Sequence, residues 1–140
     1  MSVAENTGED GLHPKVAELA RGKNFAALTT LLAGGRPQTQ VMWVDADDGR
    51  LPIDTEVHRQ KSKNVKREPR VTLAIWEGED PYSFVEVRGE VVGIRRGPQA
   101  REHIEELSHE YHARPYRTKI RSERVILTIA PFRQVIRMPS

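Results

Sequence analysis

The part of this chain with the clearest chemical character runs from residue 54 to residue 65, where a predicted strand passes directly into a predicted helix. The first turn of that helix is basic: it carries Arg59 and Lys61, followed by the hydroxyl of Ser62. A helix N-terminus presents unpaired N–H groups and a partial positive charge, and cations beside it donate strong hydrogen bonds to anions. The pattern predicts a phosphate or carboxylate site, although a surface helix with solvated lysines has the same spacing.

Charge is distributed unevenly along the 140 residues, whose formal net charge is only +2. Lysines and arginines gather between residues 58 and 70 and again between residues 114 and 124, whereas acids collect between residues 45 and 56. Two local basic patches on a nearly neutral chain favour a compact anion site over an extended nucleic-acid surface. We therefore expect a small-molecule ligand and no nucleic-acid partner.

Composition excludes several kinds of site. The chain has no cysteine, which rules out disulfides and thiol chemistry and is consistent with a cytoplasmic location. No apolar run approaches the roughly 20 residues of a membrane span, so we expect no membrane partner. His109 and His112 are three residues apart, whereas a zinc-protease helix needs them four apart, so we predict no metal site.

The elements that must position the basic turn are mostly strands. Alternating apolar residues predict strands over residues 24–32, 38–44, 71–76, 84–92 and 125–136, and a half-buried strand over 51–57. Turns are predicted at Asp47-Asp48-Gly49 and at Asp80-Pro81. Helices are predicted over residues 12–21 and 60–67, and a long helix begins at Gly97-Pro98. This order predicts an α+β fold with a largely antiparallel sheet that closes into a barrel or a sandwich.

The domain organisation expected from the sequence is simple. Residues 12–140 contain no repeat, low-complexity tract or linker, and the length suits one domain. Residues 1–11 are polar and acidic without a signal-peptide core, and we expect them to form a disordered lead.

Several motifs resemble the FMN-binding split-barrel superfamily related to pyridoxamine 5′-phosphate oxidase. The run Arg59-x-Lys61-x-x-Asn64-Val65, continued by Pro69-Arg70-Val71, is similar to the phosphate-binding turn of that superfamily. The segment Gly35-Arg36-Pro37-Gln38, the pair Met42-Trp43 and the pattern Val87-x-Gly89-x-Val91 resemble further family motifs. The short chain and the Arg-x-Lys-x-x-Asn turn look more like the branch that uses the deazaflavin coenzyme F-420.

This resemblance implies a homodimer with an antiparallel split β-barrel of six to seven strands and a cofactor-binding site. It places the cofactor phosphate on Arg59 and Lys61, with Ser62 and Asn64 in support. Gln60 stands where family oxidases often carry a second arginine, which argues against oxidation of pyridoxamine phosphate and against simple FMN chemistry. The other cofactor-binding residues implied are Gln38, Thr39, Gln40, Val41, Met42, Trp43 and Thr55.

The activity implied is hydride transfer from reduced coenzyme F-420 to a small organic substrate, which makes the protein an oxidoreductase. Tyr82, Tyr111 and Tyr116 are the candidate substrate contacts, and basic residues such as those between 114 and 124 would hold the polyanionic tail of the cofactor. An FMN-dependent oxidoreductase is the alternative that keeps the fold. A third interpretation is a non-catalytic module that binds the cofactor or another anion, such as haem or nucleic acid.

Overall fold

A computed structural model describes residues 2–5, 11–56, 58–116 and 123–137 of this chain. Within these residues, seven strands form one antiparallel sheet that curls into an α+β split barrel, accompanied by three helices. The sheet order is β1-β7-β6-β5-β2-β3, and β4 pairs with β7. The elements are β1 (Ser2–Glu5), α1 (Pro14–Arg21), β2 (Phe25–Leu31), β3 (Pro37–Trp43), β4 (Leu51–Glu56), α2 (Gln60–Arg67), β5 (Arg70–Glu77), β6 (Asp80–Arg96), α3 (Pro98–His112) and β7 (Arg124–Arg137).

The two long strands β6 and β7 allow the sheet to curl. One side of β7 pairs with β4 and then with β1, while its other side pairs with β6. The β6–β7 register shifts beside Gly89 and again between Val91 and Gly93, which bends the pair. A Cβ atom at Gly89 would lie 2.4 Å from the carbonyl oxygen of Ala130, so the close approach of the two backbones requires glycine.

Apolar side chains inside the curled sheet form the core. Leu28, Leu51, Leu73 and Leu127 are buried and come from four different strands. Burying each such side chain contributes about 2 kcal/mol of favourable free energy. Because the interior is filled in this way, a ligand must bind outside the barrel.

Helix α2 follows β4 after a short turn and ends before Pro69, as the sequence predicts. Its buried residues are mostly polar: Lys61, Ser62 and Asn64 are buried together with Val65. None of the helices in the described ranges is both long and apolar enough to cross a bilayer. The polar buried face of α2 therefore marks the part of the fold where a site must be sought.

Most predicted elements agree with the structure to within a few residues, but three expectations were wrong in part. Ser2–Glu5, predicted to be disordered, pairs with β7 as strand β1, whereas residues 6–10 of that lead lie outside the described residues. The turn predicted at Asp80-Pro81 lies two residues earlier, at Gly78-Glu79, because Asp80 already pairs with Glu77. The strand predicted to be half-buried over residues 51–57 is β4, and it is buried nearly throughout, because His103 of α3 contacts Asp54 on its outer face. Residue 57 lies outside the described ranges.

Candidate functional site

A cavity of about 320 Å³ lies outside the barrel, where β3, β4, α2 and α3 meet. Its lining combines cations with aromatic and apolar side chains, and Asp54 is the carboxylate among the lining residues. A ligand that carries an anionic group and a flat apolar part would match both sets of side chains. The cations are Arg59, Lys61, Arg114 and Arg124, and the aromatic and apolar residues include Phe25, Val41, Met42, Trp43, Ile104, Leu107 and Tyr116.

Lys61 is a buried cation that has no carboxylate partner among the residues that the structure describes. Only 6% of the residue is exposed, and its Nζ donates a hydrogen bond of 2.9 Å to Oε1 of Gln40. Arg59 pairs with Glu56 at 3.6 Å and Arg124 pairs with Asp54 at 2.7 Å, but no carboxylate in the described ranges pairs with Lys61. Burial first, and then the charges of Arg59 and Arg124, lower the pKa of Lys61 to about 8.

A buried ammonium group without a counter-charge destabilises a fold unless a ligand supplies that charge. Thr55 is a second group at the cavity that lacks a polar partner. It lines the cavity and is 2% exposed, and its Oγ1 has no hydrogen-bond partner in the described structure. Both observations indicate that the cavity is built for an anionic, hydrogen-bonding ligand.

A buried ionic network holds Arg124 in place. Its Nε donates to Oδ1 of Asp54 at 2.9 Å, and Oδ2 of Asp54 lies 3.1 Å from Nδ1 of His103. The other ring nitrogen of His103 lies 3.6 Å from Oδ2 of Asp45. The guanidinium carbon of Arg124 also lies 5.4 Å from the ring centre of Tyr116, so these contacts orient the arginine at the cavity.

The same network predicts how stability depends on pH. Burial opposes the charged ring of His103, but its contacts with Asp45 and Asp54 outweigh burial and raise the pKa from 6.5 to about 9. Between these values the folded protein keeps a proton that the unfolded chain has released, so the free energy of unfolding must fall as pH rises. We expect a loss on the order of 2 kcal/mol between pH 6.5 and 9 in urea denaturation.

The control for this prediction is a second histidine on the same helix. His103→Gln is expected to flatten the pH dependence, whereas His109→Gln, at an exposed position of α3, should retain it. The titration of Lys61 has the opposite effect on stability, because the fold lowers its pKa to about 8. It therefore raises the free energy of unfolding with pH, but only above about pH 8. An unchanged slope in His103→Gln would contradict the assignment.

Ring side chains of α3 and of the segment that follows it fix the orientation of Trp43 at the cavity. The rings of Trp43 and Tyr111 stack with centroids 5.1 Å apart, and the rings of His112 and Tyr116 approach Trp43 edge-on. The Tyr111 hydroxyl donates a hydrogen bond to the carbonyl oxygen of Asn24, and burial raises the pKa of Tyr111 to about 12. The indole is therefore held rigidly, as a surface for a planar group must be.

The structure brings together only part of the predicted cofactor-binding set. Three predicted residues of β3 lie beside the cavity lining: Gln38, Thr39 and Gln40. Gln40 contributes to the site by accepting the hydrogen bond of Lys61. Among the predicted substrate contacts, Tyr116 lines the cavity and Tyr111 supports Trp43, whereas Tyr82 is 78% exposed on β6. The predicted residues that line the cavity are Val41, Met42, Trp43, Thr55, Arg59 and Lys61.

Asn64 and Ser62 lie behind the cavity instead of lining it. Both side chains are fully buried. Asn64 Nδ2 donates to Thr30 Oγ1 at 2.9 Å and to Gln38 Oε1 at 3.2 Å, which fastens α2 to β2 and β3. Asn64 therefore contributes by holding α2 in position, and the predicted direct support of a phosphate stays a prediction for both residues.

Asp54 and His103 are site residues that the sequence analysis missed. A signal for His103 was present, because it lies three residues after Ala100 and four before Leu107, on the apolar stripe of α3. A histidine at such a position needs a buried polar partner, and Asp54 is that partner. Within the predicted basic loop, Arg114 and Arg124 line the cavity, and residues 117–122 lie outside the described residues.

Proteins of known structure share this architecture. The model of the family described as pyridoxamine 5′-phosphate oxidase matches residues 12–134. An F-420 reductase is similar with a TM-score of 0.74 and 28% identity, covering 84% of this chain and 94% of that one. The conserved hypothetical protein Rv2991 of Mycobacterium tuberculosis has a TM-score of 0.67 and 22% identity, covering 94% and 87% of the two chains.

A more distant structure carries the same fold. A pyridoxamine 5′-phosphate oxidase-related, FMN-binding protein of Nostoc punctiforme has a TM-score of 0.59 and 14% identity, covering 86% of this chain and 81% of that one. Likeness at this level, and that to Rv2991, shows the fold alone. Among curated proteins, no sequence matches this chain.

Proposed function

This chain belongs to the pyridoxamine 5′-phosphate oxidase family, and we propose from this that it is an oxidoreductase whose flavin-type cofactor binds in the cavity beside α2. The observation that carries the proposal is Lys61, a buried ammonium group at a cavity, without a carboxylate partner in the described structure. The phosphate of a flavin-type cofactor supplies the missing charge.

The residues present fit such a cofactor. Lys61, Arg59 and the N–H groups of the first turn of α2 would bind its phosphate. Trp43 and Met42 would lie against its ring system, and Ile104 and Leu107 of α3 would exclude water from that part of the cavity. The cofactor, when bound, supplies the hydride chemistry. In this scheme the protein binds and orients the reactants, and no described side chain is required as a catalytic base.

We propose coenzyme F-420 as the cofactor and keep FMN as the alternative. The likeness to an F-420 reductase supports the first choice. Gln60, in place of a second arginine, agrees with it, and so do Arg114 and Arg124, which provide positive charge for a polyanionic tail. The likeness to an FMN-binding protein supports the alternative. The substrate would be a small organic molecule that accepts a hydride.

A side-by-side titration tests this proposal. We expect reduced coenzyme F-420 to bind at least about 10-fold more tightly than FMN, a difference of ~1.4 kcal/mol. Binding of either should take up protons near pH 8, because an anion raises the lowered pKa of Lys61 again. Calorimetry in two buffers of different ionisation enthalpy measures that uptake.

The outcomes separate the competing functions. Tighter FMN binding, with a yellow protein, would favour the alternative cofactor. Affinities that do not change between pH 7 and pH 9 would remove Lys61 from the site. A protein that binds the cofactor but turns over no electron acceptor in a broad screen would support the non-catalytic interpretation.

We further propose that the protein works as a homodimer in which the partner covers the cavity mouth. Val41 and Phe25 both line the cavity, yet they are 63% and 40% exposed. Large apolar side chains exposed at the rim of a site favour a surface that another chain covers. Sedimentation equilibrium measures this assembly. The lack of cysteine supports a reducing compartment, so the proposal places the protein in the cytoplasm.

A further inference from the structure

Lys61 differs chemically from the other lysines that the structure describes. Lys23, Lys63 and Lys66 are exposed, and Lys15 pairs with Glu18 at 3.5 Å. Lys61 is buried beside a cavity, and its Nζ is held by the neutral amide oxygen of Gln40. Its amine is therefore presented to a space that admits small molecules, with no carboxylate in the described structure to stabilise its charge.

Such an environment makes an amine nucleophilic. Burial and the neighbouring arginines lower the pKa of Lys61 to about 8. About a tenth of the molecules then carry a neutral amine at pH 7, against fewer than about one in a thousand for an exposed lysine. Lysines desolvated beside other cations are the ones that proteins use to form imines with carbonyl compounds.

The surroundings of Lys61 also define which carbonyl compound suits the cavity. Arg59 and Arg114 line the cavity and offer guanidinium groups to an anion. Arg124 and the acid of the lining, Asp54, are already paired with each other, and Asp54 also contacts His103. Trp43 and Tyr116 supply flat apolar surface. The volume of about 320 Å³ admits a molecule of one substituted ring.

We propose that, when the cavity holds no cofactor, Lys61 captures aldehydes that carry a phosphate or a similar anionic group by forming an imine. The Nζ lone pair attacks the carbonyl carbon to give a carbinolamine, which loses water, so that amine and aldehyde become imine and water without any redox change. The arginines bind the anionic group and hold the aldehyde near Nζ.

Capture and cofactor binding exclude each other at this site. A bound anion fills the cavity and favours the ammonium form of Lys61, which has no lone pair to react. The imine in turn occupies the cavity and removes the free ammonium group that would bind a phosphate. The inference thus goes beyond the proposed oxidoreductase and does not depend on which flavin-type cofactor binds.

Pyridoxal 5′-phosphate is the probe that tests the inference, with pyridoxal as its phosphate-free counterpart. The full chain is incubated with each aldehyde, the imine is reduced with borohydride, and the modified lysines are located by peptide mass spectrometry. At pH 7 we expect Lys61 to be modified at least about 10-fold more than any other lysine. Pyridoxal should react at least about 10-fold more slowly, and inorganic phosphate should slow the reaction of the phosphorylated aldehyde.

The matched variants are Lys61→Arg, which keeps the charge without a nucleophile, and Lys63→Arg on the exposed face of the same helix. Only the first should abolish the adduct, and the wild-type peptide map remains decisive if that variant fails to fold. Equal modification of Lys63 and Lys61, or equal rates with both aldehydes, overturns the inference.

A protein that captures the aldehyde but binds neither FMN nor coenzyme F-420 keeps this inference and loses the proposed function. Cofactor binding without any Lys61 adduct keeps the proposed function and overturns this inference.

Discussion

Replacing Lys61 with methionine is expected to weaken the binding of FMN or coenzyme F-420 by roughly two to three orders of magnitude. Removing one side of a buried charged contact costs about 3–4 kcal/mol of binding free energy, because the ligand phosphate then loses its desolvated partner. The same substitution should stabilise the ligand-free protein by on the order of 1 kcal/mol. Methionine fills similar space beside Gln40 without the cost of burying an unpaired ammonium group.

Opposite signs for affinity and stability are what separate a ligand-binding lysine from a structural one. Isothermal titration measures the first, and urea denaturation of the cofactor-free protein measures the second. Lys63→Met is the matched control, since Lys63 is exposed on the same helix and should change neither quantity by more than about 0.5 kcal/mol. If Lys61→Met loses stability and affinity together, Lys61 holds the fold and the proposed site is wrong.

Changing Asp54 to asparagine is expected to lower the free energy of unfolding by about 3–5 kcal/mol, the usual cost of breaking a buried ion pair from one side. The Asp54 side chain is fully buried, and it accepts a hydrogen bond from Arg124 and contacts His103. Asparagine keeps the size but leaves Arg124 without its counter-charge and leaves His103 with Asp45 as its only carboxylate partner in the described structure. Ligand affinity should also fall, because Arg124 is no longer held against the cavity.

Urea denaturation and cofactor titration of the same preparation measure both effects of Asp54→Asn. Asp48→Asn is the control, since Asp48 is an exposed acid in the β3–β4 turn. A double-mutant cycle of Asp54→Asn with His103→Gln should show strong coupling, because the two side chains share one network. A loss of less than about 1 kcal/mol would mean that the ion pair does not hold this part of the fold.

Lys61 and Asp54 illustrate two ways in which the protein accommodates buried charge. The charge of Asp54 is compensated within the chain, so it contributes to the fold whether or not a ligand is present. No carboxylate among the described residues compensates the charge of Lys61, so a bound anion must compensate it. We expect stability and ligand affinity to be separable by mutation in this cavity.

Much of the fold was predictable because it depends on local patterns. Period-two alternation gave the positions of the strands, and the turn at Asp48 and Gly49 has the positive φ angles that its sequence predicts. Pro69 ended α2 where expected. Strand β1 was missed because residues 2–5 pair with the far end of β7, a contact that no local pattern announces.

For the site, the sequence by itself determined that a strand leads into a short helix whose first turn carries Arg59 and Lys61. Only the tertiary structure decided that Lys61 is buried against Gln40, 21 residues away, and that Asp54 pairs with His103 and Arg124 at separations of 49 and 70 residues. The physical reason is that charge and hydrogen-bonding capacity belong to each residue type, whereas burial and counter-charge depend on which distant segments the sheet brings together.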